Sequence, residues 1–265
     1  MTAIRLTTKY VEKPWGRTGL PAIFPNPDGR RIGEIWFDGP EGEHPPLLVK
    51  YIFTSEKLSI QVHPNDAEAR ERGLPGGKEE CWYILDAEPG ATLGIGLKRP
   101  LNAEELRAAA LDGSIEALMD WKPVKPGDFF FIPAGTVHAI GAGITLVEAQ
   151  QNVDVTYRLY DYGRPRELHL DDGVAVSRAE PYPFPARNVP LGSEAWLMSG
   201  EPFKLAMKTL EVGETLTLPS PAWFIPLNGA GRIGGQDWHG SKCWLTKSET
   251  ELRAREKANV LIAGL

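Results

Sequence analysis

Gly127-Asp128-Phe129-Phe130-Phe131-Ile132-Pro133-Ala134-Gly135-Thr136-Val137-His138 is the segment from which the architecture is read. Gly127 and Asp128 turn the chain into a short run of aromatic and branched residues. That run is too brief for a helix and rich in strand formers. Pro133 and Gly135 make the next tight turn, and His138 opens a returning strand. A histidine at the start of an apolar hairpin strand is placed to face an interior.

Two segments upstream offer partners for that histidine. Leu58-Ser59-Ile60-Gln61-Val62-His63-Pro64-Asn65 reads as a strand in which alternate side chains share a face. Ile60 and Val62 suit a core, so Gln61 and His63 present an amide oxygen and an imidazole on the other side. Taken alone, a strand histidine is as readily a hydrogen-bonded structural residue. Gly76-Gly77-Lys78-Glu79-Glu80-Cys81-Trp82-Tyr83 is a glycine turn entering an apolar strand, with Glu80 at its mouth. A carboxylate followed by Cys-Trp-Tyr-Ile-Leu is buried and in need of a partner or a metal, or else lies on an edge in water. If the strands surround one centre, Gln61, His63, Glu80 and His138 supply one amide oxygen, one carboxylate and two imidazoles. That set suits zinc with open coordination positions; iron and manganese accept a similar one.

Strand-like runs recur along the first two thirds of the chain: 31–37, 47–54, 58–62, 80–85, 91–97, 128–132, 144–150 and 156–160. Gly, Pro, Asp or Asn bound them, the pattern of an all-β sandwich or barrel. The spacing predicts a helix over 65–72 with Asn65 as N-cap, and two short helices over 102–121 broken at Gly113, covering one end of the barrel. Prolines 181, 183, 185 and 190 mark a boundary, so the expected units are 1–178, a metal-binding catalytic domain, and 179–265, a smaller β module with strands at 203–212, 214–218, 222–227 and 259–265. The charged segment 249–257 reads as a solvated face.

The 265 residues carry a formal net charge of −6, two cysteines and 42% hydrophobic residues. The charge argues against nucleic-acid or anionic-membrane partners. Cys81 and Cys243 make no disulfide framework, and Cys81 reads as a small buried apolar residue. The opening MTAIRLTTKYVEKPWG lacks an apolar signal core, and the longest apolar runs cannot span a bilayer. A cytoplasmic location is expected. His44, His169 and His239 match no motif, and Trp82 and Tyr83 read as core.

The Gly127–His138 spacing matches the second motif of the cupin barrel. Together with LSIQVHPND, GKEECWYILD and VEAQQNVDVTYRLYDYGR, it resembles the type I mannose-6-phosphate isomerases in their short bacterial form, from about Lys13 to Arg164. The fold implied is mainly β, a cupin (double-stranded β-helix, jelly-roll) barrel with short helices and a smaller cupin-like C-terminal module. The activity implied is zinc-dependent interconversion of mannose 6-phosphate and fructose 6-phosphate through a cis-enediol, with one Zn2+ per chain in a monomer or weak homodimer. The resemblance places zinc ligands at Gln61, His63, Glu80 and His138. It places catalytic roles at Arg158, Lys78, Glu148 and Asp154, and substrate contacts at Lys50, Ser59 and Arg164. Lys78 is the first choice for the base, with Glu148 and Asp154 as alternatives. Longer relatives carry a histidine where this chain has Gly77. Two rival readings are another cupin metalloenzyme, such as an iron-dependent oxygenase or an isomerase of another sugar phosphate, and a non-catalytic sugar-binding regulator.

Overall fold

A computed structural model describes residues 1–26 and 28–265. The chain is mainly β, with four antiparallel sheets stacked in layers and short helices outside one of them. None of the four sheets closes on itself among the described residues. A seven-stranded sheet holds Thr7–Arg17, Ile32–Asp38, Leu47–Phe53, Ile144–Gln151, Glu80–Ala87, Asp128–Ile132 and Arg187–Asn188. One face of it looks at a five-stranded sheet made of Tyr157–Tyr160, Ile60–Val62, His138–Ile140, Thr92–Leu97 and Met119–Pro123.

Strict alternation explains the layering. In Glu80–Ala87, Trp82 and Ile84 point toward the five-stranded sheet and pack with Phe130, Ile132, Leu146 and Ile140. Cys81 and Tyr83 point the other way, into a second core shared with Leu205, Trp223, Ile225 and Leu261. The seven-stranded sheet is therefore buried on both faces, and Leu47–Phe53 is buried at every position. That accounts for its continuous apolar reading, LLVKYIF. Each large side chain in these seams contributes roughly 1.5–3 kcal/mol by leaving water.

The outer face of the five-stranded sheet carries Ile60, Val62, Ala139 and Leu159. It is covered by the helices Ala103–Asp112, Ile115–Leu118 and Leu170–Val176. The helices lie along this sheet face, against the expectation that they would close the end of a barrel. Asn65 caps the helix Asp66–Glu71 with a reciprocal bond to Glu68, and Gly113 ends Ala103–Asp112 in a left-handed conformation at φ 82°. The expected helical pair over 102–121 stops at Leu118. Met119–Pro123 is a strand, because its residues pair with Thr92–Leu97 at the sheet edge.

The C-terminal part contributes a six-stranded sheet and a four-stranded sheet packed on Phe224, Trp238, Trp244 and Leu252. Ala3–Arg5 joins this six-stranded sheet through Trp244–Thr246, while Arg187–Asn188 joins the seven-stranded one. Strands thus cross the 178/179 position in both directions. The 249–257 segment is only half solvated: Glu251 and Arg253 face water, but Leu252 and Ala254 are core, and Thr250–Ala254 is a strand. No helix of the described residues is long and apolar enough to cross a membrane.

Candidate metal centre

The centre lies between the two facing sheets, where the register lines up polar side chains. His138 and Arg158 each sit opposite Gln61 in the five-stranded sheet, so the three form one row across three strands. In the facing sheet Trp82, Glu148, Lys50 and Trp36 form a row across four strands, and Glu80 is paired with Gln150. His63 follows its strand by one residue, and its carbonyl accepts from the Gly135 N–H at 2.8 Å. The Pro133–Gly135 turn is thereby tied to the histidine of the other motif.

His63, Glu80 and His138 converge, with one donor atom from each within 4.8 Å of the others and all three residues buried. His63 Nε2 lies 3.5 Å from Glu80 Oε2 and His138 Nε2 lies 3.4 Å from Glu80 Oε1. His138 Nδ1 is 2.8 Å from the Thr136 carbonyl. A carbonyl only accepts, so Nδ1 carries the proton and the Nε2 lone pair faces the centre. Gln61 reaches the same point, its amide nitrogen 3.3 Å from His138 Nε2 and its oxygen taking a bond from Ser59 Oγ at 3.1 Å. The two ends of an amide are interchangeable on the same hydrogen-bonding partners, and the reversed orientation turns Oε1 inward.

The electrostatics fit a cation. Burial, then Lys78, His138 and Lys50, holds His63 well below the usual histidine range, and burial pushes His138 down to about 4. Both rings are therefore neutral at pH 7, the form that offers a lone pair to a metal. Burial and Glu148 raise Glu80. Neither Glu80 oxygen has an aligned hydrogen-bond donor among the described residues, although Lys78 Nζ lies 3.0 Å from Oε2. A buried carboxylate lacking donors is costly unless a cation compensates it. Two neutral imidazoles, a buried carboxylate and a nearby amide match the donor set of a catalytic zinc site.

A cavity of about 330 Å³ opens beside these groups, lined among others by Lys50, Ser59, Gln61, Lys78, Glu148, Asp154 and Arg158. Burial works against ionisation of Glu148, but Lys50 and Lys78 outweigh it and hold the carboxyl below its usual range. Glu148 accepts from Trp82 Nε1 at 2.9 Å and lies 3.2 Å from Lys50 Nζ. Lys50 is shielded by burial but kept charged by Glu148, Glu34 and Glu80. It donates to Gln150 at 2.5 Å and sits 4.9 Å from the Trp36 ring centre. The Lys50 ammonium thus points inward. Asp154 lies exposed at the cavity rim.

Arg164 is the one expected site residue outside the lining and outside the donor cluster. Its guanidinium donates to the Lys57 and Asp161 carbonyls and lies over the Tyr162 ring. Arg166 lines the cavity instead, as do Lys13, Glu34, Trp36 and Gln150, none of which was singled out in the sequence. The signal for Glu34 and Trp36 was alternation: in the strand 32–38 they occupy the face opposite the core residues Ile35 and Phe37. His169, expected to be ordinary, accepts from the Arg158 backbone N–H at 3.2 Å. Trp82 and Tyr83 are core, as expected, though Trp82 also braces Glu148.

Gly77 has a steric explanation. A Cβ there would lie 2.4 Å from the Asn65 carbonyl carbon and 2.5 Å from the Asp66 nitrogen. Its N–H donates to Asp66 Oδ1 at 2.7 Å. The turn carrying Lys78 is pressed against the start of the helix Asp66–Glu71, leaving no room for a side chain. Gly77→Ala is expected to lower stability by about 1–3 kcal/mol and to reduce turnover by shifting Lys78. Thermal melting and steady-state kinetics of the variant check both; an unchanged melting temperature would contradict the close packing.

No family model matches the chain. Among curated proteins, mannose-6-phosphate isomerase ManA of Bacillus subtilis is 44% identical over 162 residues, covering 56% of this chain and 51% of that protein. The mannose-6-phosphate isomerase of Streptococcus mutans is also 44% identical, over 137 residues, covering 49% of this chain and 43% of that one. The chain is a homologue of mannose-6-phosphate isomerases. It spans about half the length of these curated relatives. The solved mannose 6-phosphate isomerase of Bacillus subtilis superposes with a TM-score of 0.80 at 25% identity, covering all of both chains. A mannose 6-phosphate isomerase solved in a zinc-bound form shares the fold, with a TM-score of 0.70 at 16% identity over 100% of this chain and 99% of that one.

Proposed function

We propose that this chain is a zinc-dependent aldose–ketose isomerase that interconverts mannose 6-phosphate and fructose 6-phosphate through a cis-enediol. The observation that carries the reading is the buried His63, Glu80 and His138 cluster at the wall of a cavity that also holds Lys50, Lys78 and Arg158. The homologues named as mannose-6-phosphate isomerases supply the substrate, and the zinc-bound structural neighbour supplies the metal. The two facing sheets are read as the walls of a cupin barrel, with 1–178 as the catalytic unit and 179–265 as its support. Gln61, His63, Glu80 and His138 would hold one zinc per chain.

Zinc, when bound, supplies Lewis acidity toward the sugar oxygens. The chain's own residues do the rest. Lys78 takes the C2 proton of the aldose and returns it to C1, while the O2 hydroxyl proton passes to O1, giving the ketose. Its nitrogen lies 3.2 Å from His63 Nε2, beside the donor cluster. Glu148, ionised and braced by Trp82, is the second candidate for this proton. Asp154, at the rim, is less shielded from water. Arg158, in one row with Gln61 and His138, stabilises the negative charge that develops on O1 and O2, an effect worth on the order of 3 kcal/mol. Lys50 and Ser59 hold substrate hydroxyls or phosphate oxygens.

A coupled assay of fructose 6-phosphate formation from several aldose 6-phosphates tests the reading. The expected result is turnover of mannose 6-phosphate well above glucose 6-phosphate, abolished by chelation and restored by zinc. Absence of metal-dependent turnover with every aldose 6-phosphate would overturn it.

A further inference from the structure

We propose that Arg166 is the residue that anchors the substrate's phosphate group, which fixes the direction in which the sugar lies in the cavity. The inference rests on the sugar-phosphate reading above and adds to it a residue and an orientation.

Three of the cavity's basic side chains already have a carboxylate partner. Lys78 is 3.0 Å from Glu80, Lys50 is 3.2 Å from Glu148, and Lys13 is 3.7 Å from Glu34. Each of these three carboxylates is itself buried or nearly so, which binds the pair tightly. The arginines are provided for differently. Arg158, Arg164 and Arg166 crowd around the single buried carboxylate of Asp161, which is 2% exposed. Three guanidinium groups on one carboxylate leave positive charge in surplus there. Glu167, the other acid near Arg158, projects into solvent with its side chain 84% exposed.

Geometry singles out Arg166 among the three. Its Nε and Nη2 donate to the two Asp161 oxygens at 2.6 and 2.7 Å. This bidentate grip fixes the guanidinium plane. No described residue accepts from Nη1, and the residue lines the cavity while remaining partly open to water. A guanidinium held rigidly by a buried acid, with donors still free, is pre-organised for a phosphate. Arg164, by contrast, donates from Nε and Nη2 to the Asp161 and Lys57 carbonyls, and its Nη1, unpaired among the described residues, is buried away from the cavity lining. Arg158 is in one row with Gln61 and His138, so it stands on the metal-centre side of the cluster. The phosphate end of the substrate therefore points to Arg166, and its C1–C2 end points to Gln61, His63 and Glu80.

The test compares the zinc-loaded wild type, Arg166→Gln and Arg166→Lys. Inorganic phosphate binding is measured by calorimetry and mannose 6-phosphate kinetics by the coupled assay. Arg166→Gln is expected to raise KM and to weaken phosphate binding by about ten- to a hundredfold, the range of one charge-assisted hydrogen-bonded contact. Its kcat is expected to stay within about threefold of wild type, with unchanged zinc content. Arg166→Lys, which keeps a cation on Asp161, is expected to fold like the wild type and show an intermediate loss. Wild-type KM and phosphate affinity in a folded variant would overturn the assignment. Arg166-dependent phosphate binding by a wild type that isomerises no sugar phosphate would uphold the anchor and overturn the isomerase reading.

Discussion

His138→Ala is expected to yield a folded protein that no longer retains zinc and turns over at least about a thousandfold more slowly. The histidine is 1% exposed, its Nδ1 is committed to Thr136, and its Nε2 is aimed at Glu80. Removing it leaves the buried Glu80 carboxylate with one imidazole neighbour in place of two. Imidazole nitrogen is a preferred zinc donor and His138 is one of only two among the four proposed ligands, so its loss weakens retention steeply. The protein itself is held by seams that do not depend on this side chain, so folding should survive with a cost of about 1–3 kcal/mol for the emptied polar position. His239→Ala is the matched control, because that ring is exposed on the four-stranded sheet and, among the described residues, bonds only the Gly240 carbonyl. Elemental analysis with the coupled assay reads the outcome. Full zinc content in a folded His138→Ala protein would remove this residue from the ligand set.

The second large effect is expected from Lys78→Met. If Lys78 carries the proton between C2 and C1, kcat falls by about 10²- to 10⁴-fold, the usual range for a general base. Zinc should be held at least as tightly as in the wild type. Lys78 Nζ lies 3.0 Å from Glu80 and 3.2 Å from His63, so removing it frees both donors for the metal. Methionine fills the space with an unbranched chain, which keeps the packing cost small. Wild-type turnover with zinc bound would exclude Lys78 and move the role to Glu148. Glu148→Gln, made in parallel, would then show the large loss.

Much of the centre was legible because it lies on strands. Period-two alternation places Gln61 opposite Ile60 and Val62, and the Gly127–His138 spacing delivers His138 to the same interior, so the two motifs converge as expected. For Glu80 the apolar neighbours left a buried carboxylate and an edge residue in water both open, and the structure buries it. Arg166 was not legible, because its position is set by the loop 161–169 and by an ion pair with the buried Asp161 that leaves no periodic trace. The same holds for the strand Thr7–Arg17, whose alternating pattern was masked by charged residues at the sheet edge. Met119–Pro123 continued a helical pattern and became a strand only because the edge of Thr92–Leu97 offered it hydrogen bonds. Local propensity yields to such pairing. In the C-terminal part, Gln236–His239 and Trp244–Thr246 were missed for shortness: strands of four and three residues carry too little alternation to stand out.

The most direct test of the central claim is a zinc titration of metal-stripped protein, with bound metal and mannose 6-phosphate turnover followed on the same sample. Activity is expected to be absent at the start, to rise in proportion to bound zinc, and to level off at about one zinc per chain. Full turnover by the stripped protein, or zinc binding with no turnover at any loading, would contradict it.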